Sequence, residues 1–448
     1  MKRARSGSRR SCWRSRPIGQ HAASEQPLGS LEWKDVMTVW ATLKNVVEHW
    51  ASRELRRPYV GYVASSGGNA MTAGQTFLPE ASYFGVRMVE MGLREGGKFF
   101  SSFLPLGVVL TEFSFGDGRQ RRPTILSNDE IAAQLKAAGA APGYVDFKNI
   151  YAVRRAPMKQ DNLSLFVGLF RLPFHDVAQQ VLQLAADLTT QTGLAPGVSD
   201  GLRVAEKIYD RVAGLFGLNI VTPLFSYADG NALGRSGYLL VAGSDLDEAV
   251  AKRLVVTDDR LVLDGQRVSG LDYCLLAIEF TASLLPEGPD TINPLTQLGF
   301  HRHWQGVASS IMKRELEHAD EQMLTLRSEV ITSPELAEND RLVAIGAYQT
   351  SYDKLVERVT PKNAHRGWEE ALLADPNDKT IVKPAVTELL KGMQIRLLTG
   401  IKDAPDDPDK LFASEAFALR KTVGKAPLVD TSSAVALARV LNRTAKAR

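Results

Sequence analysis

One change of hydrophobic period divides this chain. Up to about residue 286, short apolar segments recur between Gly-, Asp- and Pro-rich turns. After EGPDTINP (287–294), apolar residues recur at three- and four-residue steps almost without a break. Short apolar runs bounded by turn residues read as strands, and the longer period reads as amphipathic helices. A run of strands followed by a run of helices gives an α+β class. The expected organisation is an N-terminal mixed β-meander/α-β domain over 31–286, followed by an all-helical C-terminal region over 287–448. The 448 residues suit two to three domains at roughly 150 residues each.

Residues 1–30 stand apart by charge. The first 16 residues, MKRARSGSRRSCWRSR, hold seven basic side chains and no acidic one. Removing those seven from 54 Lys and Arg leaves 47 against 51 Asp and Glu, so the basic balance belongs to a tail and not to the body. Such a segment cannot bury enough apolar surface to order itself, and a disordered basic tail is expected. The SRRSCW segment (8–13) resembles the start of a twin-arginine export signal, but the polar PIGQHAASEQPLGS that follows lacks the apolar stretch such a signal needs. A protein built to neutralise nucleic-acid phosphates shows a basic stripe, which the body lacks in bulk. The longest apolar run, FFSSFLPLGVVLTEF (99–113), is short of the roughly 20 residues of a membrane-crossing helix and contains Pro105 and Glu112. The two cysteines, Cys12 and Cys274, lie in unlike settings and form a poor disulfide pair, which suits a cytoplasmic location.

Within 31–286 the first element expected is a helix over 31–55. Trp33, Met37, Trp40, Leu43, Val47 and Trp50 share one of its faces, which is expected to pack on the core, with a docking surface for a partner as the alternative. Strands are expected at 59–64, 83–95 and 98–115, with Gly96-Gly97 as a two-residue hairpin turn between the last two. A capping box, Ser127 and Glu130, opens a helix at 128–138. Strands at 151–155 and 162–172 follow, the second apolar on both faces and therefore central. Helices at 175–190 and 202–216 precede strands at 219–226, 237–243, 253–256, 260–263 and 273–280, with turns at Asp258-Asp259 and Asp264-Gly265. In the helical region, Trp304 to Val330 marks one long helix, and Ser333-Pro334-Glu335 opens another with Ser as its cap. Helices after Pro384, at 411–423 and at 431–446 complete the chain.

Each chemical motif is incomplete. Gly92 to Lys98 has the spacing of a phosphate-binding loop, but Phe99 stands where Ser or Thr belongs and the next segment is β-like. His301-Arg302-His303 offers two imidazoles without a third ligand, and reads as a surface or helix-entry pair. Glu315, Glu317, His318 and Asp320 give a single Glu-x-x-His, where a di-iron site needs two, and read as a solvated helix face. Ser65-Ser66-Gly67-Gly68 imitates a nucleophile elbow without a clear helix behind it. Lys159 to Asn162 is a polar cluster before a central strand. Arg119, Arg121 and Arg122 form one basic knot and Arg154-Arg155 another, each suited to phosphates or an acidic partner. No metal and no cofactor are expected. The expected function is a non-catalytic interaction or scaffolding subunit of a larger protein assembly, with Trp33, Trp40 and Trp50 as a partner face. The alternative is a hydrolase or transferase whose site is assembled from dispersed polar residues.

Overall fold

A computed structural model describes residues 58–66, 73–94, 103–116, 118–126, 144–159, 163–173, 222–229, 234–243, 246–287, 298–360, 384–398, 405–423 and 433–445, with a few isolated positions between them. The basic tail, the helix at 31–55 with Trp33, Trp40 and Trp50, the Gly96-Gly97 turn and the helix at 128–138 lie outside them. Residues 56–448 form one compact unit. Strands fill its first part and helices its second, an α+β arrangement.

Twelve strands are described: β1 Tyr59–Ser66, β2 Tyr83–Gly92, β3 Phe103–Phe115, β4 Gly118–Leu126, β5 Tyr144–Pro157, β6 Ser164–Pro173, β7 Thr222–Asp229, β8 Gly237–Ala242, β9 Leu254–Thr257, β10 Arg260–Leu263, β11 Gln266–Arg267 and β12 Tyr273–Thr281. They form an eight-stranded sheet of order β11-β10-β9-β1-β8-β12-β2-β5 and a four-stranded sheet of order β4-β3-β6-β7. Phe84, Val86 and Met88 of β2 and Cys274, Leu276 and Ile278 of β12 meet Val109 and Phe113 of β3 and Leu165, Val167 and Leu169 of β6 in one apolar core. The sheets are therefore packed face to face. Strand β6 is central and buried on both faces, as its sequence implies; an added Cβ at Gly168 would lie 2.8 Å from the Phe170 ring, so this position has no room for a side chain.

The expected hairpin between 83–95 and 98–115 does not form. Strand β2 pairs with β12 and β5, while β3 pairs with β4 and β6 in the other sheet. Each strand takes both of its hydrogen-bonded neighbours from other segments of the chain, and adjacency in sequence alone does not decide which. The β3–β4 hairpin does form, closed where Phe115 faces Gly118 and Gly116 has φ 63°. The far end of the large sheet folds back on itself: β10 lies five places from β2 in strand order, yet the Leu261 amide donates to Glu90 Oε2 at 2.6 Å.

The helices described in full are α1 Glu248–Ala251, α2 Gly299–Met312, α3 Leu316–Thr332, α4 Glu338–Val359, α5 Pro384–Leu398, α6 Pro408–Val423 and α7 Ser433–Ala445. The single long helix expected from Trp304 to Val330 is two, broken at Arg314, which has φ 64°. The apolar stripe continues across the break because α2 and α3 pack side by side on one core. Helix α4 runs through the middle of the bundle and is buried along most of its length. It starts later than Ser333, which instead ends α3.

The N-terminus of α4 joins the two parts. Ala337 precedes it and offers no side-chain cap. The strand part supplies the missing acceptors: Glu338 N–H donates to Glu80 Oε2 (3.2 Å) and Asn339 N–H to the Glu80 carbonyl (3.0 Å). The Tyr83 hydroxyl donates to Asp340 Oδ2 (2.8 Å) and accepts from the Ala337 N–H (2.8 Å), while Ser283 Oγ and the Leu284 N–H also bond Asp340.

Candidate functional site

Beside this joint lies a recess of about 400 Å³, lined by Phe115, Arg122, Tyr151, Arg154, Arg155, Ala156, Leu284, Leu298 and Glu335. It brings together Arg122, from one basic knot of the sequence, and Arg154-Arg155, the other. Arg122 comes from the edge strand β4, and Arg154-Arg155 from the other sheet's edge strand β5.

In a regular strand, consecutive side chains point to opposite faces, so Arg154 and Arg155 would part. They do not, because β5 carries a bulge. Phe84 of β2 pairs with Ala156 and Val86 pairs with Val153, which leaves one extra residue on β5. Arg155 takes φ 50°, and both arginines are exposed between buried Val153 and Ala156. A non-glycine residue in this left-handed region costs about 1–3 kcal/mol and persists where the surroundings over-determine it. The bulge turns two neighbouring cations toward the same opening.

Aromatic rings hold the guanidinium planes. Arg154 lies 5.3 Å from the centroid of Tyr151, and Arg122 lies 5.8 Å from that of Phe113. Arg122 also donates to Gln120 Oε1 through Nε (3.3 Å) and Nη2 (3.1 Å). Among the described residues, none of the three arginines makes an ion pair. Glu335, in the connection from α3 to α4, is the one carboxylate among the lining residues, and the apolar floor comes from Leu284 and Leu298. The lining therefore carries more positive than negative charge.

A second recess of about 320 Å³ is lined by Arg87, Val89, Asp146, Phe147, Asp258, Asp259 and Arg260. Most of its charges are already paired. Arg87 Nη1 and Nη2 grip both oxygens of Asp259 (2.9 and 3.2 Å), and its Nε donates to Glu279 (2.7 Å). The Tyr238 hydroxyl donates to Asp259 Oδ1 at 2.7 Å. Partial burial works against the Asp259 charge, but the bonds from Arg87 and Tyr238 outweigh it and hold the carboxyl below its ordinary range. Arg267 bonds both Asp146 and the fully buried Glu90. Asp258 and Asp259, with φ 49° and 61°, form the two-residue turn between β9 and β10, so their unusual backbone has a structural cause.

The other sequence motifs do not assemble. His301 and His303 lie on a helix and diverge. His301 is buried, with Nδ1 2.9 Å from the Tyr348 hydroxyl, and is no surface residue; burial lowers its pKa. His303 faces Glu329 at 3.3 Å. His318 is exposed beside Gln322, and Asp320 accepts from the Tyr352 hydroxyl at 2.6 Å. Ser66 Oγ meets Thr257 Oγ1 at 2.9 Å across paired strands. Among the described residues, no group of three or more His, Cys, Asp or Glu side chains is arranged to hold a metal ion. No described helix is long and apolar enough to cross a membrane.

The sequence showed both basic knots but not their convergence. The available signal was Ala152-Val153-Arg154-Arg155-Ala156, in which two adjacent polar residues interrupt an apolar run, as a bulge requires. Compared with known proteins, the chain matches no family model, no curated protein and no solved structure.

Proposed function

We propose that this protein is a non-catalytic interaction subunit of a larger cytoplasmic assembly, and that the arginine recess receives an acidic segment of a protein partner. The carrying observation is the bulge that presents Arg154 and Arg155 together, beside Arg122 and, among the described residues, without a paired carboxylate. Guanidinium groups offer planar, doubly bonded contacts to anions, and aromatic backing fixes their orientation. A localised recess on a body of slight negative charge suits an acidic protein segment better than a nucleic-acid backbone, which calls for an extended basic track. The stripe of Trp33, Trp40 and Trp50 is proposed as a second contact with the same assembly. The competing reading, a hydrolase or transferase with a dispersed site, has its nearest support in the Asp259 recess, where the carboxylates are already engaged by arginine.

The test is the size of the assembly in extracts of the source cells, measured by gel filtration with light scattering. The intact protein is expected to elute with partners, and Arg154→Glu combined with Arg155→Glu to elute alone. A protein that elutes alone in both forms refutes the proposal.

A further inference from the structure

The recess carries more charge than a carboxylate side chain can answer. Arg122, Arg154 and Arg155 supply three positive charges and Glu335 one negative, a surplus of two. Each guanidinium has five N–H donors and no acceptor, so the three cations face the opening with many more donors than one carboxylate's two oxygens can engage. A phosphomonoester carries about −1.5 to −2 at neutral pH and three strongly accepting terminal oxygens. Its charge equals the surplus, and its oxygens allow separate contacts with guanidiniums arriving from two strands.

Resting on the interaction reading above, we infer that the recess is a docking site for a phosphorylated side chain of the partner protein. The bulge at Arg155 is its positioning device. Straightening β5 would send Arg154 and Arg155 to opposite faces and leave one guanidinium where two are needed. The mouth of the recess points to a protein carrier and not a free small molecule. Arg122, Arg154, Arg155 and Glu335 are all exposed, whereas a small ligand is held where most of its own surface is enclosed. A phosphorylated side chain needs less enclosure because the chain on either side of it adds contacts outside the recess. Leu284 and Leu298 on the floor suit the carbon stem of that side chain.

The full chain would be titrated with three short acetylated and amidated peptides that differ at one position: phosphoserine, glutamate or serine. Inorganic phosphate would be titrated separately. The phosphoserine peptide is expected to bind at least about tenfold more tightly than the glutamate peptide, with the serine peptide weaker still. It is also expected to bind more tightly than inorganic phosphate. Arg154→Gln should weaken phosphoserine binding about tenfold or more. Arg155→Gly should do the same, and it stays folded because glycine accepts φ 50° freely. The groups facing the ligand are Arg122 from β4, Tyr151, Arg154 and Arg155 from β5, and Glu335 before α4, with no histidine among them. Binding should therefore weaken between pH 7.5 and 5.5, as the phosphate takes up its second proton near pH 6.

Equal binding of the phosphoserine and glutamate peptides would overturn the phosphoryl inference and leave the interaction reading standing. Equal affinity for inorganic phosphate and the phosphopeptide would overturn the protein carrier. If no peptide binds at millimolar concentration, both the inference and the acidic-partner reading of this recess fall.

Discussion

In the helical part, the buried carboxylate Glu415 of α6 is gripped by Lys354 of α4 at 2.8 Å and by Arg396 of α5 at 2.7 Å. Lys354 is 2% exposed and Glu415 1%, so neither can turn to water. In the strand part, the innermost carboxylate is Glu90, gripped by Arg267 and by the Leu261 amide. Arg267 keeps 19% of its side chain exposed and lies against the ring of Tyr144. Helix α4 is enclosed by neighbours, so its polar residues must be matched inside. A sheet has edges, and its cations reach solvent there.

The largest expected effect breaks the helical pair. Glu415→Leu leaves the Lys354 cation buried without its partner, and should cost about 3–5 kcal/mol in denaturant unfolding. Glu90→Gln in the strand part should cost less, about 1–3 kcal/mol, because Arg267 can move into water. Equal losses would remove the contrast. Next comes the joint. Tyr83→Phe deletes one donor to buried Asp340 and one acceptor for the Ala337 amide, and should cost about 1–3 kcal/mol. The loss should appear as one shifted transition followed by both near-ultraviolet and far-ultraviolet dichroism. Two separate transitions would mean that the parts unfold independently.

Arg155→Gly relieves the left-handed strain and should raise stability by about 1 kcal/mol while weakening anion binding. A loss of stability would show that the side chain, and not the backbone, holds the bulge. The smallest effect separates the two parts by pH. Burial lowers the pKa of His301, so its contribution is complete above about pH 6.5 and declines as pH falls from there through its folded value. Asp259 is also lowered, as an acid, so its contribution declines only as pH falls below about 4. Stability of the wild type against His301→Phe and Asp259→Asn, measured from pH 7 to 3, should show the helical part responding first.

The sequence revealed the order of the two parts because hydrophobic period is local. Tyr273-Cys274-Leu275-Leu276 shows an alternation that the structure confirms: Cys274, Leu276 and Ile278 enter the core between the sheets, while Tyr273, Leu275 and Ala277 face a separate cluster. Strand partnership is not local. Val86 and Val108 look alike in sequence, yet they belong to different sheets. The break at Arg314 leaves no mark in the hydrophobic pattern because the stripe from Trp304 to Val330 keeps its period across it. In the recess, the arginines were legible and their meeting was not. Arg122 and Arg154 come together through the stacking of two sheets, and no spacing along the chain encodes that.

Glu80 stands 258 residues before the amide it caps at Glu338. During synthesis at roughly 5–20 residues per second, about 13–50 s separate the two. Every described strand, through Thr281, leaves the ribosome before α4 begins. The Glu338 and Asn339 amides are therefore made long after the acceptor they bond, and closing this cap joins the two ends of the synthesis.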